Sequence, residues 1–121
     1  MNKGILLFTP ALFIGMAACA PQSFQTAGAG QTSEGRPLSG HVSYAPTEQI
    51  WDVDVIRPGV WTCNTNFESS GEGRVITTQP LRCDDGRSGT ITLTINRAQN
   101  QLVGSFELED GESGQVTFGR T

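Results

Sequence analysis

Three residue types in this chain could carry chemistry: cysteines, clustered carboxylates and a lone histidine. Cys19, Cys63 and Cys83 are the only cysteines. No Cys-x-x-Cys spacing occurs, and no histidine lies near Cys63 or Cys83, so a zinc site has little to build on. Cys63 and Cys83 instead form an even pair suited to a disulfide in an oxidising compartment. Such a bridge closes a loop of about 21 residues and contributes roughly 3 kcal/mol in the chain-entropy model. Two free thiols or a metal pair are the alternative. Carboxylates gather at Asp84 and Asp85, and again at Glu109, Asp110 and Glu112. Calcium favours oxygen donors of this kind. Neither cluster matches the Asp-x-Asp-x-Asp-Gly pattern of an EF-hand, however, and Arg87 would repel a cation. The clusters therefore read as solvated turns, and no metal or cofactor is expected. His41 is the sole histidine. A triad with Ser69 or Ser88 has no support in spacing, and no Gly-x-Ser-x-Gly elbow is present, so the chain reads as non-enzymatic.

The carboxylate clusters belong to a repeat. Leu81-Arg82-Cys83-Asp84-Asp85-Gly86-Arg87-Ser88-Gly89-Thr90-Ile91-Thr92-Leu93 is followed, 25 residues on, by Phe106-Glu107-Leu108-Glu109-Asp110-Gly111-Glu112-Ser113-Gly114-Gln115-Val116-Thr117-Phe118. Each copy runs strand, acid-Asp-Gly turn, strand. Asp-Gly supplies the positive φ of a hairpin turn, and the second glycine suits a bulge. Elsewhere the pattern is also alternation. Trp51, Val53 and Val55 share one face, as do Trp61, Cys63 and Phe67, then Val75, Leu81 and Cys83, then Ile91, Leu93 and Ile95, and then Leu102, Gly104, Phe106 and Leu108. Val116 and Phe118 line the last strand, and His41 to Tyr44 would add a short one. Arg57-Pro58-Gly59 is a turn. Pro80 lacks an amide donor, which places its strand at an edge or a bulge. The expected fold is all-β, a small antiparallel meander of six to seven strands with one disulfide, as a curled sandwich or a small barrel.

Residues 1–18 combine one positive charge at Lys3 with an apolar run, the pattern of a secretory signal peptide and too short for an ordinary membrane-spanning helix. Residues 19–40 are poor in large apolar side chains and read as a flexible tether with a reach of about 25 Å. Residues 41–121 are the β-domain. The net charge of −4 argues against a nucleic-acid partner.

Met16-Ala17-Ala18-Cys19 resembles the lipobox of bacterial lipoproteins, with Met16 where leucine is usual. That resemblance implies cleavage before Cys19, lipidation of its thiol and a membrane partner through the lipid. Ala20, rather than aspartate, implies the outer membrane, facing the periplasm. Plain secretion by cleavage near Ala18-Cys19-Ala20 is the alternative. Cys83 to Gly89 is similar to small alphaproteobacterial lipoproteins carrying Cys-x-Asp-Gly-Arg-x-Gly. Gly59-Val60-Trp61-Thr62-Cys63 loosely resembles the opening strands of periplasmic lysozyme and protease inhibitors, which implies a protein partner in the envelope. A second reading is a glycan or small-ligand module, with Trp51 or Trp61 as an exposed platform. Both tryptophans also stand in phase with core positions. Arg87, placed on an exposed hairpin tip, is the remaining binding candidate. On that placement Arg87→Ala leaves folding intact.

Overall fold

The computed structural model describes residues 24–69, 74–96 and 99–119. Their alternating apolar positions form eight strands: β1 (Phe24–Thr32), β2 (Pro37–Ala45), β3 (Ile50–Arg57), β4 (Trp61–Glu68), β5 (Arg74–Cys83), β6 (Ser88–Asn96), β7 (Gln101–Leu108) and β8 (Ser113–Gly119). Each is antiparallel to the next, and β1 pairs with β8, so the meander closes into a barrel. An eight-stranded barrel is just wide enough for its inward side chains to fill it. Here Val42, Trp51, Val53, Val55, Leu81, Ile91, Leu93, Ile95, Val116 and Phe118 are almost wholly buried inside.

The all-β meander and its disulfide stand as expected, with eight strands in place of six or seven and a barrel in place of the open choice. The additional strand lies in the stretch read as tether: residues 24–40 hold β1 and the start of β2. The inward positions of β1 are Phe24, Thr26, Gly28, Gly30 and Thr32, with only one large apolar side chain among them. Hydrophobic periodicity is silent there because the neighbours supply the volume. Phe118 fills the space over two glycines. A Cβ at Gly28 would stand 2.5 Å from its Cδ2, and one at Gly40 2.7 Å from its Cε2. The strand is held by pairing along both edges, from Phe24↔Tyr44 to Gln31↔Pro37 and from Gly28↔Phe118 to Thr32↔Gly114. The expected signal peptide, Cys19 and the first residues of the expected tether lie outside the described residues.

Four tight turns share one end of the barrel. Three are built alike, at 33–36, 84–87 and 109–112. In each, the residue before the turn donates its amide across it, Thr32 to Arg36 O, Cys83 to Arg87 O and Leu108 to Glu112 O. The glycines accept the positive φ this needs, 86° at Gly35, 93° at Gly86 and 96° at Gly111. The third copy, Ser33-Glu34-Gly35-Arg36, went unread as a turn because it falls within the glycine-rich stretch around β1.

One seam is incomplete. β4 and β5 pair only through Cys63↔Cys83 and Asn64↔Arg82, whereas β5 stays paired with β6 from Arg74↔Asn96 to Arg82↔Ser88. The two strands fork below the disulfide.

Candidate functional site

Two places in the barrel collect groups of interest, the turn end and the fork. At the turn end, the repeat brings its two acidic turns side by side, because hairpins β5–β6 and β7–β8 are neighbours in an up-and-down meander. Glu112 is the hub. Its Oε2 accepts from Arg57 at 3.0 Å and its Oε1 from Arg87 at 2.9 Å, and the Trp61 indole N–H donates to the same Oε1 at 3.3 Å. Arg87 also donates to Asp85 Oδ2 at 2.9 Å and to Asp110 Oδ2 at 2.6 Å. Its guanidinium carbon lies 5.9 Å from the centre of the Trp61 ring, within cation–π range. The second oxygens of both aspartates cap their own turns: Asp85 accepts from the Arg87 amide and Asp110 from the Glu112 amide.

The electrostatics follow from these contacts. The side-chain hydrogen bond from Arg87 is the main cause holding the Asp85 carboxyl below its usual range. For Asp110 the Glu112 amide acts first and Arg87 second, in the same direction. The three carboxylates in turn raise the Arg87 guanidinium above its ordinary value, Asp85 leading. This corrects the placement of Arg87 as a free side chain on an exposed tip: it is a clamp joining two hairpins, with 23% of its side chain exposed. Arg87→Ala is expected to lower stability at neutral pH by about 1–2 kcal/mol, since partly solvated ion pairs contribute modestly. Both aspartate pKa values are depressed in the folded state. Their stabilisation is therefore full above the unfolded aspartate value of about 3.9 and drains as pH falls below it. Melting temperatures of wild type and Arg87→Ala, measured from pH 7 to acid, should converge below about pH 4. A constant gap would mean that Arg87 does not act through these carboxylates.

Trp51 and Trp61 are 1% and 2% exposed. Trp51 lies in an aromatic cluster with Phe24, Tyr44 and Phe67, its centroid 4.5 Å from that of Tyr44. Trp61 packs edge-on against Phe106 at 5.7 Å. Neither ring offers a face to a sugar, and the platform reading is corrected: both are core, as their phase with valine and cysteine allows. His41 points outward on β2, in register with Asp54. Ser88 opens β6, which is not adjacent to β2 in the barrel, and donates to Glu109 at 3.3 Å. Ser69 donates its amide to the Gln49 carbonyl. The structure does not gather these residues into a triad. Among the described residues no group of three His, Cys, Asp or Glu side chains could hold a metal ion.

The fork was partly legible in Pro80. The Asp84 amide donates to Thr62 O across the β4–β5 seam, while the Cys83 amide donates to Arg87 O on the β6 side. Amides alternate along a strand, so Arg82, Pro80, Thr78, Ile76 and Arg74 turn their backbone toward β4. Asn66 and Glu68 turn theirs toward β5 by the same parity, since the Ser69 amide points to Gln49. Below Asn64↔Arg82, the next ladder pair would be Asn66 and Pro80, and Pro80 has no N–H to give. The inward side chains there do not draw the strands together either. Thr65, Thr77 and Gln79 line the gap from inside, with Gln79 Nε2 donating to Thr77 Oγ1 at 2.9 Å. A cleft of about 290 Å³ opens between Asn64, Thr65, Asn66, Gln79, Pro80 and Arg82. Among the described residues, the seam-facing backbone of Asn66, Glu68, Arg74, Ile76 and Thr78 has no partner across it. Ile76, 64% exposed, projects from the free edge of β5.

No protein-family model, curated protein or solved structure matches the chain.

Proposed function

We propose that this protein is a non-catalytic, protein-binding module of the bacterial cell envelope, held at the outer membrane by a lipid on Cys19 and facing the periplasm. The observation that supports protein binding is the fork between β4 and β5. An unpaired strand edge is a template for another chain, and proteins ordinarily blunt or cover such edges. Here Pro80 blunts one position, but beyond it Thr78, Ile76 and Arg74 present backbone with no partner across the seam, while the rest of the barrel is zipped. The Arg87 clamp and the buried tryptophans serve as the frame that holds this edge in place. The resemblance of Gly59-Val60-Trp61-Thr62-Cys63 to periplasmic inhibitors points to the same class of activity.

The test uses the lipidated full-length protein in formaldehyde-crosslinked envelopes, with affinity capture read by mass spectrometry. Thr78→Pro removes one seam-facing amide and spares the backbone hydrogen bonds of the β5–β6 ladder, because that amide faces the gap; it gives up one exposed side-chain bond, between the Thr78 and Thr92 hydroxyls at 3.1 Å. Wild type is expected to capture one dominant protein that Thr78→Pro loses, with the melting temperature of the variant retained. Equal capture by both would remove the fork from the function.

A further inference from the structure

We propose that the occupant of the fork is an extended, acidic segment of the partner, added as a strand antiparallel to β5. This rests on the protein-binding reading and gives it a chemistry. The free run of β5 is the longer bank: Thr78, Ile76 and Arg74 each present an N–H and a C=O, against Asn66 and Glu68 on β4. Antiparallel pairing with the longer bank gives the added strand more of its hydrogen bonds and the more stable ladder. Its outward side chains would then stand beside those of β5, which read Arg74, Ile76, Thr78, Pro80 and Arg82. The outward neighbours on β6 are Ser88, Thr90, Thr92, Thr94 and Asn96, none of them charged.

Arg74 and Arg82 form no ion pair among the described residues, in a chain of net charge −4. On the β4 bank the acidic group is Glu68, and Asp52 and Asp54 lie one strand further away, on β3. Asp52 and Asp54 are already engaged by Asn64 Nδ2, at 3.0 and 2.8 Å. The pattern on β5 therefore favours a carboxylate opposite Arg74, an apolar side chain opposite Ile76 and a second carboxylate diagonal to Arg82. Cross-strand pairs of opposite charge stabilise a sheet and like charges oppose it. A second copy of this chain brings no such carboxylates: two β5 edges paired along their free run, centred on Ile76, would set Arg74 of each against Thr78 of the other.

The probe is the blocked peptide acetyl-Glu-Thr-Thr-Thr-Val-Val-Glu-amide, with its charge-swapped counterpart carrying Lys at both ends. Binding to the folded protein is measured by isothermal titration and by amide chemical shifts in β5. The acidic peptide should bind about tenfold more tightly than the lysine peptide, as two attractive pairs replace two repulsive ones. In Arg74→Glu/Arg82→Glu the order should reverse, and both substitutions lie on exposed positions that leave the fold intact. Equal binding of the two peptides, or a preference for lysine, overturns the acidic occupant while leaving the fork as a binding edge. Shift changes confined to surfaces away from β4 and β5 overturn strand addition itself. A concentration-dependent dimer that Thr78→Pro abolishes would place a second copy in the cleft and likewise overturn the inference.

Discussion

Replacing Cys63 and Cys83 together by serine is expected to lower the melting temperature by roughly 15 °C, the shift that a loss of about 3 kcal/mol produces in a domain of this size. Part of that figure is the ordinary effect of a bridge that spans 20 residues of chain: the reduced, unfolded chain gains freedom. The position of the bridge adds a second reason. Cys63↔Cys83 is one of only two residue pairs that close the β4–β5 seam, and it sits immediately above the fork. Without it, the seam is left with Asn64↔Arg82 and the hydrogen bonds between Thr62 and Asp84, one from the Asp84 amide and one to its side chain at 3.1 Å. Hydrogen exchange should show the loss first in the amides of β4 and the upper part of β5, before global unfolding. A variant that melts within a few degrees of wild type would show that the barrel closes without the bridge.

Phe118→Ala should cost more, about 4 kcal/mol, near the middle of the range for a fully buried phenylalanine. Phe118 has no exposed surface, and its ring lies over Gly28 and Gly40. Those walls are backbone, so they cannot collapse inward to fill the space as side chains would. The companion substitution makes the argument specific. Gly28→Val alone should destabilise, since its Cβ would meet the Phe118 ring. In the Phe118→Ala background the same valine should stabilise, by occupying the cavity. Chemical denaturation of the four proteins gives the coupling directly. Additive effects would mean that the ring and the glycine are not in competition for one volume.

The strands legible in the sequence were those that bring their own large apolar side chains. Ile91, Leu93 and Ile95, or Leu102, Phe106 and Leu108, announce an inward face without reference to anything else. β1 could not be read this way, because its inward glycines make sense only once Phe118 is known to lie over them. With β1 missing, the choice between sandwich and barrel had no basis, since β1 is the strand that closes onto β8. The acidic turns were legible as turns but not as a clamp. The interval of 25 residues between the copies was the available signal, for it places both turns at the same end on adjacent hairpins. Arg87 then has acidic partners on each side. Pro80 was the most informative single residue at the fork: the missing donor was visible in the sequence, and the strand it would have faced was not.

The pairing of Phe24 with Tyr44 also bounds how far the barrel would stand from the proposed anchor. With the proposed lipid on Cys19, no more than five steps of backbone would separate the anchor from a paired residue, at most about 18 Å at full extension, not the 25 Å that a longer tether would reach. Phe24 lies at the barrel end opposite the tight turns, beside Tyr44, and the unpaired run of the β4–β5 seam lies on that side of the disulfide. On that anchor, so short a leash would hold the molecule close to the bilayer with its turn end outward, and the β4–β5 fork, on the Phe24 side of the disulfide, would face the layer next to the lipid headgroups. In that proposed setting, the segments best placed to enter it would belong to proteins whose own chains run within that layer, which would narrow the search to juxtamembrane stretches of envelope proteins.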